Sequence, residues 1–217
     1  LQRLRWVILL GASYYFYGTF KMQYVVLIAA STIIAYCTAL LIQKNQEKSV
    51  KKKYLFIGVI FNLGLLFVLK YYNFFSNSLT SILSFYEIPH KSHLLRLVVP
   101  VGISFYIFQV VSYIIDVYRG TKTAERHLGL FALYVAFFPK LLSGPIERAK
   151  QFLSQLHESH QWDWGQATNG FKLMVWGLFK KVVVADRIAV FVDIVFSNPD
   201  SHGGPSLALA MVLYSFQ

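Results

Sequence analysis

At 217 residues, with 56% hydrophobic and only 14% charged side chains, the chain is too poor in charge for a soluble domain, where about a quarter is usual. Its mean hydropathy of +0.49 and its 17% aromatic content place it among polytopic α-helical membrane proteins. The net charge of +11 would suggest nucleic acid in a soluble protein, but here the cations sit in short segments between apolar runs and no nucleic-acid-binding module is present; they read as topology signals and lipid headgroup contacts.

The first apolar run, Trp6–Phe20, predicts a short helix. Arg3 and Arg5 before it resemble the start of a signal peptide, but no small-residue cleavage site follows, so the helix reads as retained. Tyr24–Ile42 predicts a second, longer helix, which holds Cys37. A single cysteine excludes an intramolecular disulfide. Gln43–Lys53, with five lysines against one Glu, reads as a cytoplasmic loop by the positive-inside rule. Tyr54–Leu69 predicts a third helix, closed by Lys70 and the interfacial pair Tyr71 and Tyr72. Ser76–Arg96 reads as an external loop. Leu97–Tyr118 predicts a fourth helix returning to the cytoplasm, where Arg119, Lys122 and Arg126 follow.

Leu128–Phe138 spans 11 residues before Pro139, too short to cross a bilayer, for which about 20 are needed. Both of its flanks are basic, and Pro139 and Gly144-Pro145 break the helix. Irregular backbone survives at membrane depth only when buried in protein or lining a cavity. The segment therefore reads as a re-entrant cytoplasmic hairpin, with a tilted full span as the alternative. His157–Gly170 reads as a polar loop, Phe171–Val184 as a partly interfacial helix, Ile188–Phe196 as a short one, and Ser197–Pro205 as a turn-rich loop. The last apolar run, from Ser206, ends with the sequence at Gln217, which suggests a piece of a longer chain. No internal repeat is visible. The fold expected is all-α: a single membrane-embedded domain over residues 1–217, a polytopic transmembrane helical bundle with a broken-helix segment.

Three groups of residues carry candidate chemistry. In the fourth helix, Gly102, Tyr106, Gln109, Tyr113 and Asp116 are spaced 4-3-4-3, which places them on one face, with Ser112 at its border. Polar and ionisable groups in a membrane span are costly unless they face the bundle interior or water. The stripe reads either as the wall of an internal tunnel, or as Gln109 stapling two helices and Asp116 pairing with Arg119 at the interface. Arg119 reads either as a phosphate or headgroup ligand or as an inside-positive anchor before a glycine cap. Around Pro139, the broken backbone together with Lys140 and Arg148 can guide a phosphate-bearing donor or serve as an anchor. The histidine pairs His90/His93 and His157/His160 have i, i+3 spacing, but lie in polar segments without the Cys or carboxylate clusters of a metal site. No metal site is expected, and no hydrolase elbow or glycine-rich phosphate motif is present.

The wording of the motifs goes further. "VPVGISFYIFQVVSYIIDVYRG", "FALYVAFFPKLLSGPIERAKQFLSQL" and "WGLFKKVVVADRIAVFVDIVFSNP" resemble the membrane-bound O-acyltransferase family, in its bacterial alginate O-acetyltransferase-type branch; "GASYYFYGTF" and "FNLGLLFVLKYYNFF" are similar to the same branch. The resemblance implies a multi-helix enzyme of the inner membrane with a central tunnel. It implies acetyl-CoA or a similar acyl thioester as cytoplasmic donor substrate with no bound cofactor. The implied acceptor is an envelope polysaccharide such as alginate, reached through a soluble or anchored partner acetyltransferase. The implied chemistry is general-base acyl transfer. The family's essential histidine belongs to a later apolar helix and no histidine here matches it, so it is expected beyond Gln217. The matching positions are Gly102, Ser104, Tyr106, Gln109, Asp116, Tyr118 and Arg119, then Pro139, Gly144, Pro145 and Arg148, then Lys180, Lys181, Asp186 and Arg187. By similarity these form the tunnel and funnel framework, with Tyr113 on the same stripe. Family members more often carry Gln or Asp where this chain has Lys140. Acyl transfer to peptidoglycan and D-alanyl transfer to teichoic acid stand as alternatives within the family. A transporter is the alternative outside it, although such proteins usually show repeat symmetry.

Overall fold

The structure is a computed structural model that describes residues 4–85, 99–142, 144–145, 147–158 and 162–217. All elements among these residues are helical. They form two compact units, residues 1–159 and 160–217.

In the first unit, α1 (Arg5–Phe20) and α2 (Met22–Lys44) are joined by Lys21 alone. Then α3 (Lys48–Leu66) runs without interruption through a π-helical turn, Phe67–Tyr71, into α4 (Tyr72–Phe85). Among the described residues two helices are long and apolar enough to cross a membrane, Met22–Lys44 and the composite Lys48–Phe85. Their packing is of the membrane type. Gly58 lets α3 approach α2 so closely that a Cβ there would stand 2.7 Å from the Thr38 methyl. One turn further along α3, the buried Ser31 hydroxyl donates to Asn62 Oδ1 at 2.5 Å, and Asn62 Nδ2 donates to the Gly58 carbonyl at 2.8 Å. Small residues and a satisfied polar pair supply the packing and hydrogen bonds that hold helices together where lipid removes the hydrophobic drive.

Helix α5 (Ile103–Arg119) packs against both α2 and α3. It starts at Ile103, later than the predicted Leu97, because Gly102 takes φ 76° at its N-cap and Ile103 N–H closes a turn onto the Pro100 carbonyl. Gly102 is needed twice there. Its backbone lies in the left-handed region, and its missing Cβ leaves room for the Leu141 carbonyl.

The broken segment follows as α6 (Leu128–Ala136), α7 (Phe138–Leu141) and α8 (Ala149–His157). Leu130–Ala136 are all buried. Helix α6 begins at His127, whose ring meets Trp6 of α1 at 4.7 Å, while Leu141 lies against Gly102 at the opposite end of α5. Helix α8 then returns, and His157 reaches Glu125. The segment thus enters and leaves at the same end of the bundle, as the re-entrant reading expects.

The second unit contains α9 (Trp164–Leu178), a π-helical run Phe179–Ala185, α10 (Asp186–Ser197), a short 3-10 turn Pro199–Ser201 and α11 (Gly204–Tyr214). Asp163 caps α9 by accepting from Gly165 and Gln166 N–H.

Several predicted boundaries are corrected. Ser76–Phe85 is helix, not loop: Thr80 and Ser81 return their hydroxyls to the carbonyls of Ser76 and Asn77, so polar side chains are satisfied within the helix. The basic loop Gln43–Lys53 shrinks to residues 45–47, because its lysines open α3. The polar stretch from His157 is helical on both sides of residues 158–163. The two apolar runs 171–184 and 188–196 join without a break, and Lys181 ion-pairs with Asp186 across the join. Arg3, Arg96, Leu97, the His90/His93 pair and His160 lie outside the described residues.

Candidate functional site

The break in α6 leaves the carbonyls of its last turn without helical partners, and Pro139 has no N–H to offer one of them. Side chains from two other helices repair it. Gln109 Nε2 of α5 donates to the Tyr134 carbonyl at 2.6 Å. Ser13 Oγ of α1 accepts from Phe138 N–H at 3.3 Å while donating to the Leu9 carbonyl at 2.7 Å. Tyr134, fully buried, donates its hydroxyl to the Glu147 carbonyl at 3.0 Å and so ties α6 to the chain entering α8. Lys140 sits in the crook of the same turn. Its ammonium pairs with Glu147 Oε2 at 3.0 Å and lies 3.7 Å from the Phe152 ring centre and 4.8 Å from that of Tyr134. These contacts give Lys140 a carboxylate partner and two ring faces within the turn itself.

A second polar centre lies at the basic end, where the N-terminus of α1 and the C-termini of α2, α5 and α8 meet. Three side chains pin the loop between α5 and α6. Gln43 Oε1 accepts from Ala124 N–H. Tyr113 Oη accepts from Glu125 N–H at 2.8 Å, and Tyr36 Oη donates to the Arg126 carbonyl at 2.5 Å. The Glu125 carboxylate, only 9% exposed, accepts from His127 N–H at 2.9 Å and pairs with His157 Nε2 at 2.9 Å. Burial works against its charge, but the hydrogen bonds from His157 and His127 and the nearby His157 and Lys122 charges outweigh it. The carboxyl is held below its ordinary range. Arg5 donates to the carbonyls of Leu156 and Glu158 at 2.8 and 2.6 Å, capping the end of α8. Between these groups lies a cleft of about 470 Å³, lined by Gln43, Lys122, Thr123, Glu125, Arg126 and His157.

The sequence-derived candidates divide accordingly. Tyr106, Gln109 and Tyr113 are buried on one face of α5. Tyr106 stands edge-on to Tyr17 at 6.5 Å, and its hydroxyl has no partner at hydrogen-bond geometry among the described residues. Gln109 makes a helix-to-helix staple, and Tyr113 fixes the basic loop. Ser104, partly exposed, accepts from Lys70 Nζ at 3.1 Å. Asp116 forms no ion pair with Arg119 among the described residues; its carboxylate accepts from Thr121 Oγ1 at 3.4 Å. Arg119 is exposed at the last position of α5, before Gly120, which caps the helix at φ 75°. Pro139, Gly144 and Pro145 make the turn around Lys140. Arg148 opens α8, and so stands about 13 Å, one helix length, from His157 and the cations near it. Lys180 and Lys181 lie in the second unit, with Lys180 over the Trp176 ring at 5.4 Å.

Sequence reasoning missed Glu125, Ser13 and Tyr134 as partners, and treated His157 only as half of a metal pair. The one signal for Glu125 is that it is a lone acid inside a basic segment. Among the described residues, no three His, Cys, Asp or Glu side chains gather to hold a metal.

Comparison with known proteins bears out the resemblance read from the motifs. The chain is 36% identical to a protein named Probable alginate O-acetylase AlgI from Azotobacter vinelandii, over 93% of this chain and 40% of that protein. It is 36% identical to the protein of the same name from Pseudomonas aeruginosa, over 91% of this chain and 38% of that protein. It is 30% identical to a Peptidoglycan O-acetyltransferase from Helicobacter pylori, over 98% of this chain and 44% of that protein. The chain therefore spans about two fifths of the length of the curated relatives it matches. No family model matches the chain, and no solved structure does.

Proposed function

From these relatives we propose that the chain belongs to a membrane-bound O-acyltransferase, of O-acetyl type, that modifies a cell-envelope polysaccharide. The observation that carries this is similarity over more than nine tenths of the chain to proteins named for alginate and for peptidoglycan acetylation. Both acceptors are glycans, so the shared chemistry is acetylation of a carbohydrate hydroxyl. Alginate is the acceptor favoured by the more similar relatives, and peptidoglycan is the second reading, supported by the Helicobacter pylori protein.

The reaction breaks the acyl carbon–sulfur bond of acetyl-CoA and forms an ester carbon–oxygen bond. The hydroxyl proton goes to a general base and the thiolate leaves as coenzyme A thiol. The base is assigned to a histidine outside this chain. What these residues contribute is a bundle of the inner membrane, multi-pass, with a broken helix held open by Gln109 and Ser13 and a basic end facing the cytoplasmic donor. Delivery to the polymer falls to a soluble or anchored partner acetyltransferase.

Coenzyme A thiol release tests this. The full-length protein in vesicles, given acetyl-CoA, should release thiol faster when the glycan acceptor and its partner are present. Release that is absent, or equal with and without acceptor, refutes the reading.

A further inference from the structure

We propose that the cleft between the α5–α6 loop and the end of α8 is a binding site for phosphate esters, with Lys122 and Arg126 as the charged ligands. The inference deepens the proposed function by giving the phosphate-bearing donor a place to dock. It also stands without that function, because the chemistry recognised is phosphate itself.

The loop's architecture argues for it. A basic segment that only marks the cytoplasmic side needs no fixed shape, yet three side chains from α2 and α5 each hold one backbone group of this loop: Gln43 on Ala124, Tyr113 on Glu125 and Tyr36 on Arg126. Fixing the loop before a ligand arrives removes most of the ordering cost of binding. Charge points the same way. Among the described residues neither Lys122 nor Arg126 closes an ion pair, and the one acid in the cleft wall, Glu125, is already committed to His157 and to His127 N–H. His157, held against that carboxylate at 2.9 Å and with 52% of its side chain exposed, lines the cleft beside Lys122 and Arg126. The cleft, about 470 Å³ and mostly polar-lined, accommodates a phosphate or diphosphate group, and Arg126 has the planar fork suited to one.

Two sources offer that chemistry, a nucleotide-bearing thioester donor and an anionic lipid headgroup. Calorimetry on the purified full-length protein in neutral detergent, with inorganic pyrophosphate, coenzyme A and phosphate-free pantetheine as probes, separates them. The double variant Lys122→Gln/Arg126→Gln should weaken binding of pyrophosphate or coenzyme A by about tenfold or more. Lys52→Gln, outside the cleft, should leave it unchanged, and pantetheine binding should not respond to either. A second arm counts phosphatidylglycerol retained by the protein in mixed phosphatidylglycerol/phosphatidylcholine nanodiscs. A loss of retained lipid in the double variant, with coenzyme A binding intact, assigns the site to a headgroup. If neither pyrophosphate, coenzyme A nor anionic lipid responds to the double variant, the proposal is overturned. Variant-sensitive phosphate binding by a protein that releases no thiol would refute the acyltransferase reading and leave this site standing.

Discussion

Replacing Gln109 with leucine removes the only side-chain donor to the Tyr134 carbonyl among the described residues, at a place where the helix cannot supply one. Position 109 is 5% exposed and Tyr134 is fully buried, so water has no easy access to the freed carbonyl. Leaving such a group unpaired costs about 1–3 kcal/mol in a water-soluble core. Within a membrane bundle, measured side-chain hydrogen bonds average lower, about 0.6 and rarely above about 1.7 kcal/mol. A loss of about 1–2 kcal/mol follows, or a fall in melting temperature of roughly 2–8 °C for a chain of this size. The assay is thermal loss of the monodisperse peak in detergent, checked by circular dichroism. Gln109→Asn is the sharper test, because it keeps the amide but is one methylene too short to span the 2.6 Å contact, and it should melt like the leucine variant. Ser13→Ala frees Phe138 N–H at the same break, so the double variant should be non-additive with Gln109→Leu. If Gln109→Leu and Gln109→Asn both melt with the unmutated protein, the amide does not repair the broken helix.

Two further outcomes are expected. Gly102→Ala should cost about 2–4 kcal/mol, from left-handed backbone strain together with a Cβ driven into the Leu141 carbonyl, read as a matching loss of melting temperature; an unchanged melt would show that α7 does not pack there. The Glu125 carboxyl titrates below its ordinary 4.5 in the folded state, so its contribution is complete above that value and is lost as pH falls through the lower folded-state value. The melting-temperature gap between the unmutated protein and Glu125→Gln should therefore narrow as pH is taken from about 6 to about 3.5, and a constant gap would contradict the ion pair.

Apolar length and periodicity by themselves determined the all-α class, the first two helices nearly to the residue, the one-faced polar stripe of α5 and a helix break near Pro139, which falls at Phe137 with the proline in the first turn of α7. These are local properties: a helix needs only its own backbone partners, and proline removes one wherever it stands. The basic flanks on both sides of the broken segment likewise placed its two ends together. Polarity misled where a side chain could turn back on its own helix, as Thr80 and Ser81 do, so the helix ran on to Phe85. What only the tertiary structure decided was the pairing. Gln109 meets a backbone carbonyl 25 residues away, a partner that no side-chain pattern records. Glu125 and His157 lie 32 positions apart, and meet because α6 and α8 run up and back along the bundle by the height that brings their outer ends level. Whether a polar residue on a buried face staples, lines or binds depends on the rotation and height of the helix opposite, and those are set by packing, not by the residue's own neighbours in the chain.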